Sequence, residues 1–132
     1  MMKLYNANFS PNALRVRAVA LELGIDLEII EVDIRGGDNR SVEFLSMNTN
    51  AKVPVLADGD FVIWESRAIN SYLASKKPER GLYPDDPKAR AMVDQWLYWQ
   101  TIHLGPAMQK LSFERFLKAK FGMGDADQSV ID

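Results

Sequence analysis

The spacing of hydrophobic and polar residues in the first third of the chain predicts a β-α-β unit. Residues 3–7 have the pattern of a short strand, after which Ser10 is suited to a helix N-cap and Pro11 to the first helical position. The apolar positions of the predicted helix share one face, at Leu14, Ala18 and Leu21. The helix is expected to end at Gly24, and residues 27–34 are rich in β-branched residues and predict a parallel second strand.

The next segment predicts a short helix, a hairpin and a longer helix. Residues 40–47 form the short helix, and residues 53–57 and 61–64 are strands joined through Asp58-Gly59, a strong hairpin signal. Residues 66–75 carry apolar side chains at one-face helical spacing. The order βαβ-α-ββα describes a small mixed sheet with helices on both sides.

The remainder of the chain predicts an all-helical region. Residues 78–86 contain two prolines and a glycine and are interpreted as a linker. Residues 87–121 have no strand signal and predict a long helical stretch, interrupted at Gly105-Pro106. We therefore expect one domain over residues 1–77 and a second over residues 87–132. The apolar face of the second domain is too long for the first domain to cover. We therefore expect the second domain to be incomplete or completed by another chain.

Composition narrows the functional classes. The 132 residues carry 16 Lys and Arg against 18 Asp and Glu, a net charge of −2, which does not favour nucleic acid as a partner. No apolar run approaches the roughly 20 residues of a membrane span, and the N-terminus lacks the apolar core of a signal peptide, so we expect a cytoplasmic protein. The chain has no cysteine and one histidine, which excludes protein disulfides and cysteine nucleophiles and predicts no metal site.

Residues 52–69 combine two features suited to binding a small peptide. Pro54 follows Val53 at a strand start; a cis bond there would turn the Val53 backbone outward to pair with an extended peptide, although an ordinary edge-strand proline is the alternative. Ser66 lies where a strand meets a helix, and a helix N-terminus favours an anion. A ligand carboxylate at Ser66 and a ligand ammonium at Glu65 is one interpretation, and plain N-capping by Ser66 is the other.

Ser10 has two interpretations of the same kind. Its hydroxyl caps the first helix, or it donates a hydrogen bond to a substrate thiolate held at that helix start, where thiol pKa values are lowered. On local grounds the cap is the commoner use of such a serine.

Five short motifs, in order and over nearly the whole chain, resemble the glutathione transferase family, most of all its phi-like serine group. They are Ser10-Pro11-Asn12-Ala13-Leu14-Arg15-Val16, Phe44-Leu45-Ser46-Met47-Asn48, Lys52-Val53-Pro54, Glu65-Ser66-Arg67-Ala68-Ile69, and Pro106 followed by Lys110-Leu111-Ser112-Phe113-Glu114. The resemblance implies a thioredoxin-like domain followed by the start of an all-helical domain.

The resemblance also implies roles for the glutathione-binding residues. Ser10 would stabilise the glutathione thiolate, and Val53 would pair with the cysteinyl backbone beside a cis Pro54. Both ends of the peptide would be held by polar side chains, the γ-glutamyl end by Glu65 and Ser66 and the glycyl carboxylate by Arg40 and Lys52.

The activity that the resemblance implies is attack of the glutathione thiolate on an apolar electrophile, with glutathione as cosubstrate and no cofactor; glutathione peroxidase activity is a further possibility. Phe9, Phe113 and Leu117 are candidates for the electrophile pocket, with core packing as the alternative, and Trp96 and Trp99 are expected in the core.

A homodimer is the implied assembly. Asn50 stands where relatives often carry an aromatic side chain that acts as a dimer key, so this chain departs from the usual contact.

Two other functions compete with this one. A non-catalytic ligand-binding or partner-docking protein of the same fold would be indifferent to loss of Ser10. A thiol–disulfide oxidoreductase would need a protein thiolate, which a chain without cysteine does not have.

Overall fold

The computed structural model describes residues 1–131 and has two compact units, Met1–Asp85 and Asp86–Asp132. Asp132, the last residue of the predicted second domain, lies outside the described residues. None of the described helices is long and apolar enough to cross a membrane.

The first unit contains the predicted mixed sheet. Its strands are β1 (Met2–Asn6), β2 (Leu27–Glu31), β3 (Val55–Asp58) and β4 (Phe61–Trp64), in the order β2-β1-β3-β4. β1 and β2 pair in parallel and the other two pairs are antiparallel, as the β-α-β and hairpin patterns predict. The helices of this unit are α1 (Pro11–Leu23), α2 (Val42–Met47) and α3 (Ser66–Ser75), and α1 packs against α3.

The core of this unit lies between β1, β3, α1 and α3. Its largest side chains are fully buried and include Leu4, Val16, Leu56, Ile69 and Leu73.

The face of α1 that enters this core is not the one that the spacing predicts. Leu14 and Leu21 are 59% and 82% exposed, and Ala18 is exposed as well. The buried positions of α1 are Ala13, Val16, Ala20 and Leu23. Two of these four are alanines, whose small side chains let α1 approach its neighbours closely, and alanine contributes little to a hydrophobic periodicity.

β2 is shorter than the predicted strand, which reached residue 34. After β2, the Asp33 carboxylate accepts a hydrogen bond from the Gly36 N–H at 2.9 Å, and the Asp33 N–H donates to the Asp38 carboxylate at 3.0 Å. Short acidic side chains that bond to nearby backbone groups favour turns over strands. The strand therefore ends at Glu31, where the last pairing with β1 is made.

A polar cluster joins the β3–β4 hairpin to α3. The Tyr72 hydroxyl donates to the Asp58 carboxylate at 2.7 Å, and Lys76 forms an ion pair with the same carboxylate at 2.5 Å. The hydrogen bond from Lys76, followed by that from Tyr72, holds the pKa of Asp58 below its ordinary value. Because Asp58 pairs with Phe61 at the turn of the hairpin, the cluster ties that turn to the C-terminal end of α3.

The second unit is helical, as predicted. Its helices are α4 (Pro87–Trp99), α5 (Gly105–Ser112), α6 (Lys118–Phe121) and α7 (Gln128–Ile131), with π-helical segments at Gln100–Leu104 and Phe113–Leu117. The interruption predicted at Gly105-Pro106 falls where the first π-helical segment ends. In the described part of this unit, no hydrophobic side chain is as buried as those of the first unit's core.

Glu114 is a buried charged side chain of the second unit, 7% exposed. Its carboxylate accepts hydrogen bonds from Lys118 and from the Asp127 N–H, both at 2.6 Å. The hydrogen bond from Lys118 is the larger of the two effects that lower the pKa of Glu114. The carboxylate thereby connects the second π-helical segment to the residues that precede α7.

Candidate functional site

Ser10 lies between β1 and α1 and is half-buried. Its backbone is extended, and its Oγ accepts a hydrogen bond from the Ala13 N–H at 3.3 Å, the geometry of an N-cap. A hydroxyl that accepts one hydrogen bond still has its own proton to donate. Capping and donation to a ligand thiolate are therefore compatible in this geometry.

Val53 presents backbone groups that the sheet does not use. The Val53–Pro54 peptide bond is cis, pairing of β3 begins at Val55, and within residues 1–131 the Val53 N–H and C=O have no hydrogen-bond partner. Two buried asparagines hold the segment before Val53. Asn39 donates to the Ala51 carbonyl and Asn48 donates to the Lys52 carbonyl, each at 2.8 Å. The unpaired amide and carbonyl are thus held in place by a fixed loop.

Glu65 and Ser66 form the junction between β4 and α3. Glu65, and not Ser66, is the N-cap residue, and Ser66 is the first residue of the helix. Glu65 has φ 73° and ψ 112°, a conformation rare for a residue with a side chain, and makes no side-chain cap hydrogen bond. The sequence favours Ser66 as the cap because serine is common at that position; the turned backbone at Glu65 places the cap one residue earlier, while the helix covers the predicted residues 66–75.

Ser66 is 2% exposed, and its Oγ accepts hydrogen bonds from two guanidinium groups, those of Arg15 on α1 and Arg67 on α3, each at 3.3 Å. The Arg67 Nε is buried and has no hydrogen-bond partner among the described residues. Burial lowers the pKa of both arginines, and for Arg15 the charge of Arg67 lowers it further. Two partly desolvated cations beside a hydroxyl at a helix N-terminus form an environment that attracts an anion.

The sequence-based site did not include Arg15 or Arg67, although both lie inside motifs that were recognised. Their side chains meet at Ser66 only because α1 packs against α3. Arg15 and Ser66 are 51 positions apart, so no local sequence pattern predicts their contact. For Arg67, its position directly after the predicted Glu65-Ser66 junction was a signal that could have marked it as a site residue.

The two cations predicted for a glycyl carboxylate have exposed side chains. Arg40 ends a 3-10 turn, Asp38–Arg40, and Lys52 lies in the loop before Val53. Within residues 1–131 there is no cluster of three or more side chains suited to a metal ion.

The aromatic and aliphatic residues predicted for an electrophile pocket are exposed. Phe9 belongs to the first unit and is 70% exposed; Phe113 and Leu117 belong to the second and are 36% and 39% exposed. Trp96 and Trp99 were expected in a core, but they are 58% and 44% exposed and contact one another edge to face. The prediction that the two tryptophans lie in a core is wrong. The described residues of the second unit do not bury them as the first unit buries its core side chains.

Comparison with known proteins identifies the family. Residues 1–75 match the family model described as "Glutathione S-transferase, N-terminal domain". The chain is 39% identical to glutathione S-transferase D7 of Drosophila melanogaster in an alignment of 133 positions. The alignment covers 99% of this chain and 58% of the relative. The chain therefore belongs to the glutathione S-transferase family.

Solved structures of the family have the same fold. Glutathione transferase F2 of Populus trichocarpa superposes with a TM-score of 0.92 at 29% identity, over 99% of this chain and 62% of that one. A glutathione S-transferase-I bound with lactoylglutathione superposes with a TM-score of 0.89 at 34% identity, again over 99% of this chain and 62% of that one. The chain thus spans about three fifths of the length of the proteins that it matches.

Proposed function

We propose that the protein is a glutathione transferase that conjugates the thiolate of reduced glutathione to apolar electrophiles. The observation that carries this proposal is the Ser66 hydroxyl between Arg15 and Arg67, with the Arg67 Nε buried and without a hydrogen-bond partner in residues 1–131. A carboxylate satisfies such a cluster, and the γ-glutamyl end of glutathione carries one. The lactoylglutathione complex of a relative supports a ligand of the same chemistry.

The remaining parts of glutathione match the other candidate residues. The Val53 N–H is a donor and the Val53 C=O an acceptor, and both are suited to pairing with an extended cysteinyl backbone. Glu65 would attract the γ-glutamyl ammonium, and Arg40 with Lys52 would attract the glycyl carboxylate. The thiol then lies at the Ser10 end, and no bound cofactor is required.

The proposed reaction is nucleophilic substitution by sulfur. The thiol loses its proton to solvent, the thiolate forms a carbon–sulfur bond, and a displaced group leaves with the electron pair of its bond to carbon. Lowering a thiol pKa by about two units requires roughly 3 kcal/mol of preferential stabilisation of the thiolate. A hydroxyl bond to a charged acceptor contributes about 1.5–3 kcal/mol, so the Ser10 hydroxyl and the start of α1 together are sufficient.

Titration with glutathione, together with a conjugation assay on an aromatic halide, tests the proposal. We expect wild-type protein to bind glutathione and Arg67→Ala to bind it about 10- to 100-fold more weakly, since a hydrogen bond to a charged group is worth about 1.5–3 kcal/mol. Arg115→Ala is the matched control, because Arg115 is an exposed arginine of the other unit, and its affinity should equal that of wild type.

Two results would contradict the proposal in different ways. Equal glutathione affinity in the Arg67→Ala and wild-type proteins would mean that the γ-glutamyl carboxylate does not bind at this cluster. Binding of glutathione without any conjugation would favour the alternative, a non-catalytic ligand-binding or partner-docking protein.

The proposed functional form is a homodimer. Trp96 and Trp99 stand exposed on α4, and burial of such aromatic side chains is a strong source of association energy. Light scattering should give twice the mass of one chain, and Trp96→Glu should return the mass to one chain. Val42→Glu, at an 88% exposed position of the first unit, should leave the assembly unchanged. A single-chain mass for wild type would overturn the assignment.

A cytoplasmic location completes the proposal. The cytosol maintains thiols in the reduced form, which is the form of glutathione that the reaction consumes. Cell fractionation that recovers the protein in an oxidising compartment would contradict it.

A further inference from the structure

The loop that carries Ser10 is held by a carboxylate from the neighbouring strand. Glu31 is the last residue of β2, and the parallel register places it beside Asn6, the last residue of β1. One carboxylate oxygen of Glu31 accepts a hydrogen bond from the Asn6 Nδ2 at 2.6 Å, and the other accepts one from the Asn8 N–H at 2.8 Å. Both oxygens thus bond to the segment that leads to the serine.

Asn8 is held from its side chain as well. Its Oδ1 accepts hydrogen bonds from the Asn6 Nδ2 at 3.3 Å and from the Arg17 guanidinium on α1 at 3.2 Å. The turn is closed by the Ser10 N–H, which donates to the Ala7 carbonyl at 2.9 Å. The loop between β1 and α1 is therefore tied to β2 on one side and to α1 on the other.

Asn6 makes this arrangement sensitive to loss of the carboxylate. Asn6 is fully buried, and its Oδ1 has no hydrogen-bond partner among the described residues. Its shortest side-chain hydrogen bond is the one to Glu31, so removing that acceptor weakens the anchoring of a buried amide. The Asn6 Nδ2 would then keep only its 3.3 Å hydrogen bond to Asn8, and the Asn8 N–H would lose its acceptor, so the loop would be held less firmly.

We infer that Glu31 is a positioning residue for Ser10, acting through Asn6 and Asn8. The inference rests on the proposed role of Ser10 at the glutathione thiolate. In the part of the chain that the structure describes, the Glu31 side chain bonds to Asn6 and Asn8 and to none of the groups assigned to glutathione. Its loss should therefore change how the bound thiol is ionised more than how tightly glutathione binds.

Glu31→Ala and Glu31→Gln in the full chain test the inference. At about pH 6.5, below the free-thiol pKa, we expect Glu31→Ala to lower kcat for conjugation about tenfold, since small displacements of a catalytic group cost that much or more. The KM for glutathione should stay near the wild-type value, and the pH profile of kcat should move towards higher pH.

Glu31→Gln keeps an acceptor but turns a donor towards the loop, so its kcat should be intermediate. Glu28→Gln, an exposed glutamate on the same strand, is the matched control and should behave as wild type.

Hydrogen exchange at the Asn8 amide provides a readout that does not depend on activity. We expect faster exchange in Glu31→Ala, because the N–H loses its acceptor, and unchanged exchange in Glu28→Gln. Wild-type kcat, pH profile and Asn8 exchange in Glu31→Ala would overturn the inference. If wild-type protein does not conjugate glutathione, the proposed function fails, and Asn8 exchange alone then decides whether Glu31 holds the loop.

Discussion

Ser10→Ala is expected to lower the rate of glutathione conjugation at about pH 6.5 by roughly 10- to 100-fold, while glutathione still binds. The substitution removes the one side-chain hydroxyl proposed to donate to the thiolate, and such a bond to a charged acceptor is worth about 1.5–3 kcal/mol. The deficit should shrink as the pH rises past the ordinary thiol pKa of about 8.5, because the thiol then ionises without help. Steady-state rates from below to above that pKa measure both effects.

The control for Ser10→Ala has to separate catalysis from capping. Ser41 caps α2 with nearly the same geometry, accepting from the Phe44 N–H at 3.2 Å, against 3.3 Å for the cap at Ser10. Losing either cap should cost about 1 kcal/mol of stability, measured by urea unfolding. Only Ser10→Ala should lose the conjugation rate. Equal rates for Ser10→Ala and Ser41→Ala would mean that Ser10 is a helix cap and nothing more.

The parts of the fold that the sequence predicts well are those with a local physical cause. Gly24 ends α1 in the left-handed conformation, with φ 66°, which glycine adopts without steric cost. The β3–β4 hairpin likewise follows from its Asp-Gly sequence, and Gly59 in its turn has φ 62°. In each case one residue type fits the backbone conformation, so the position is readable without knowledge of the rest of the chain.

The parts that the sequence does not predict depend on contacts between distant elements. Arg15 and Arg67 become neighbours of Ser66 through helix packing, and neither has a local feature that marks it as a ligand-binding residue. Glu31 is similar, since an acidic residue at a strand end is ordinary until the register of β1 and β2 puts it beside Asn6. The roles of the recognised motif residues remain predictions that the proposed experiments decide.

α1 shows why periodicity alone selected the wrong face. Leucine dominates a hydrophobic pattern, so Leu14 and Leu21 defined the predicted face, yet the helix turns Ala13, Val16, Ala20 and Leu23 inward. The outward leucines, together with Ile29 of β2, line an open groove of the first unit. A close helix–sheet approach favours small residues on the inner face, and a scale that ranks residues by hydrophobicity undervalues them.

Substitution of two leucines of α1 tests which face of the helix is packed. Leu23 is 3% exposed and belongs to the main core cluster, whereas Leu21 is 82% exposed on the same helix. Leu23→Ala should destabilise the first unit by about 2–5 kcal/mol, since it removes buried methyl groups and leaves a cavity. Leu21→Ala should change stability by less than about 0.5 kcal/mol, as is usual for exposed positions. The two substitutions share one residue change in one helix, so differences in helix propensity nearly cancel between them. Denaturant unfolding, followed by circular dichroism in the transition that melts the sheet, gives both values. A larger loss for Leu21→Ala than for Leu23→Ala would mean that the face selected by the hydrophobic spacing is the packed one after all.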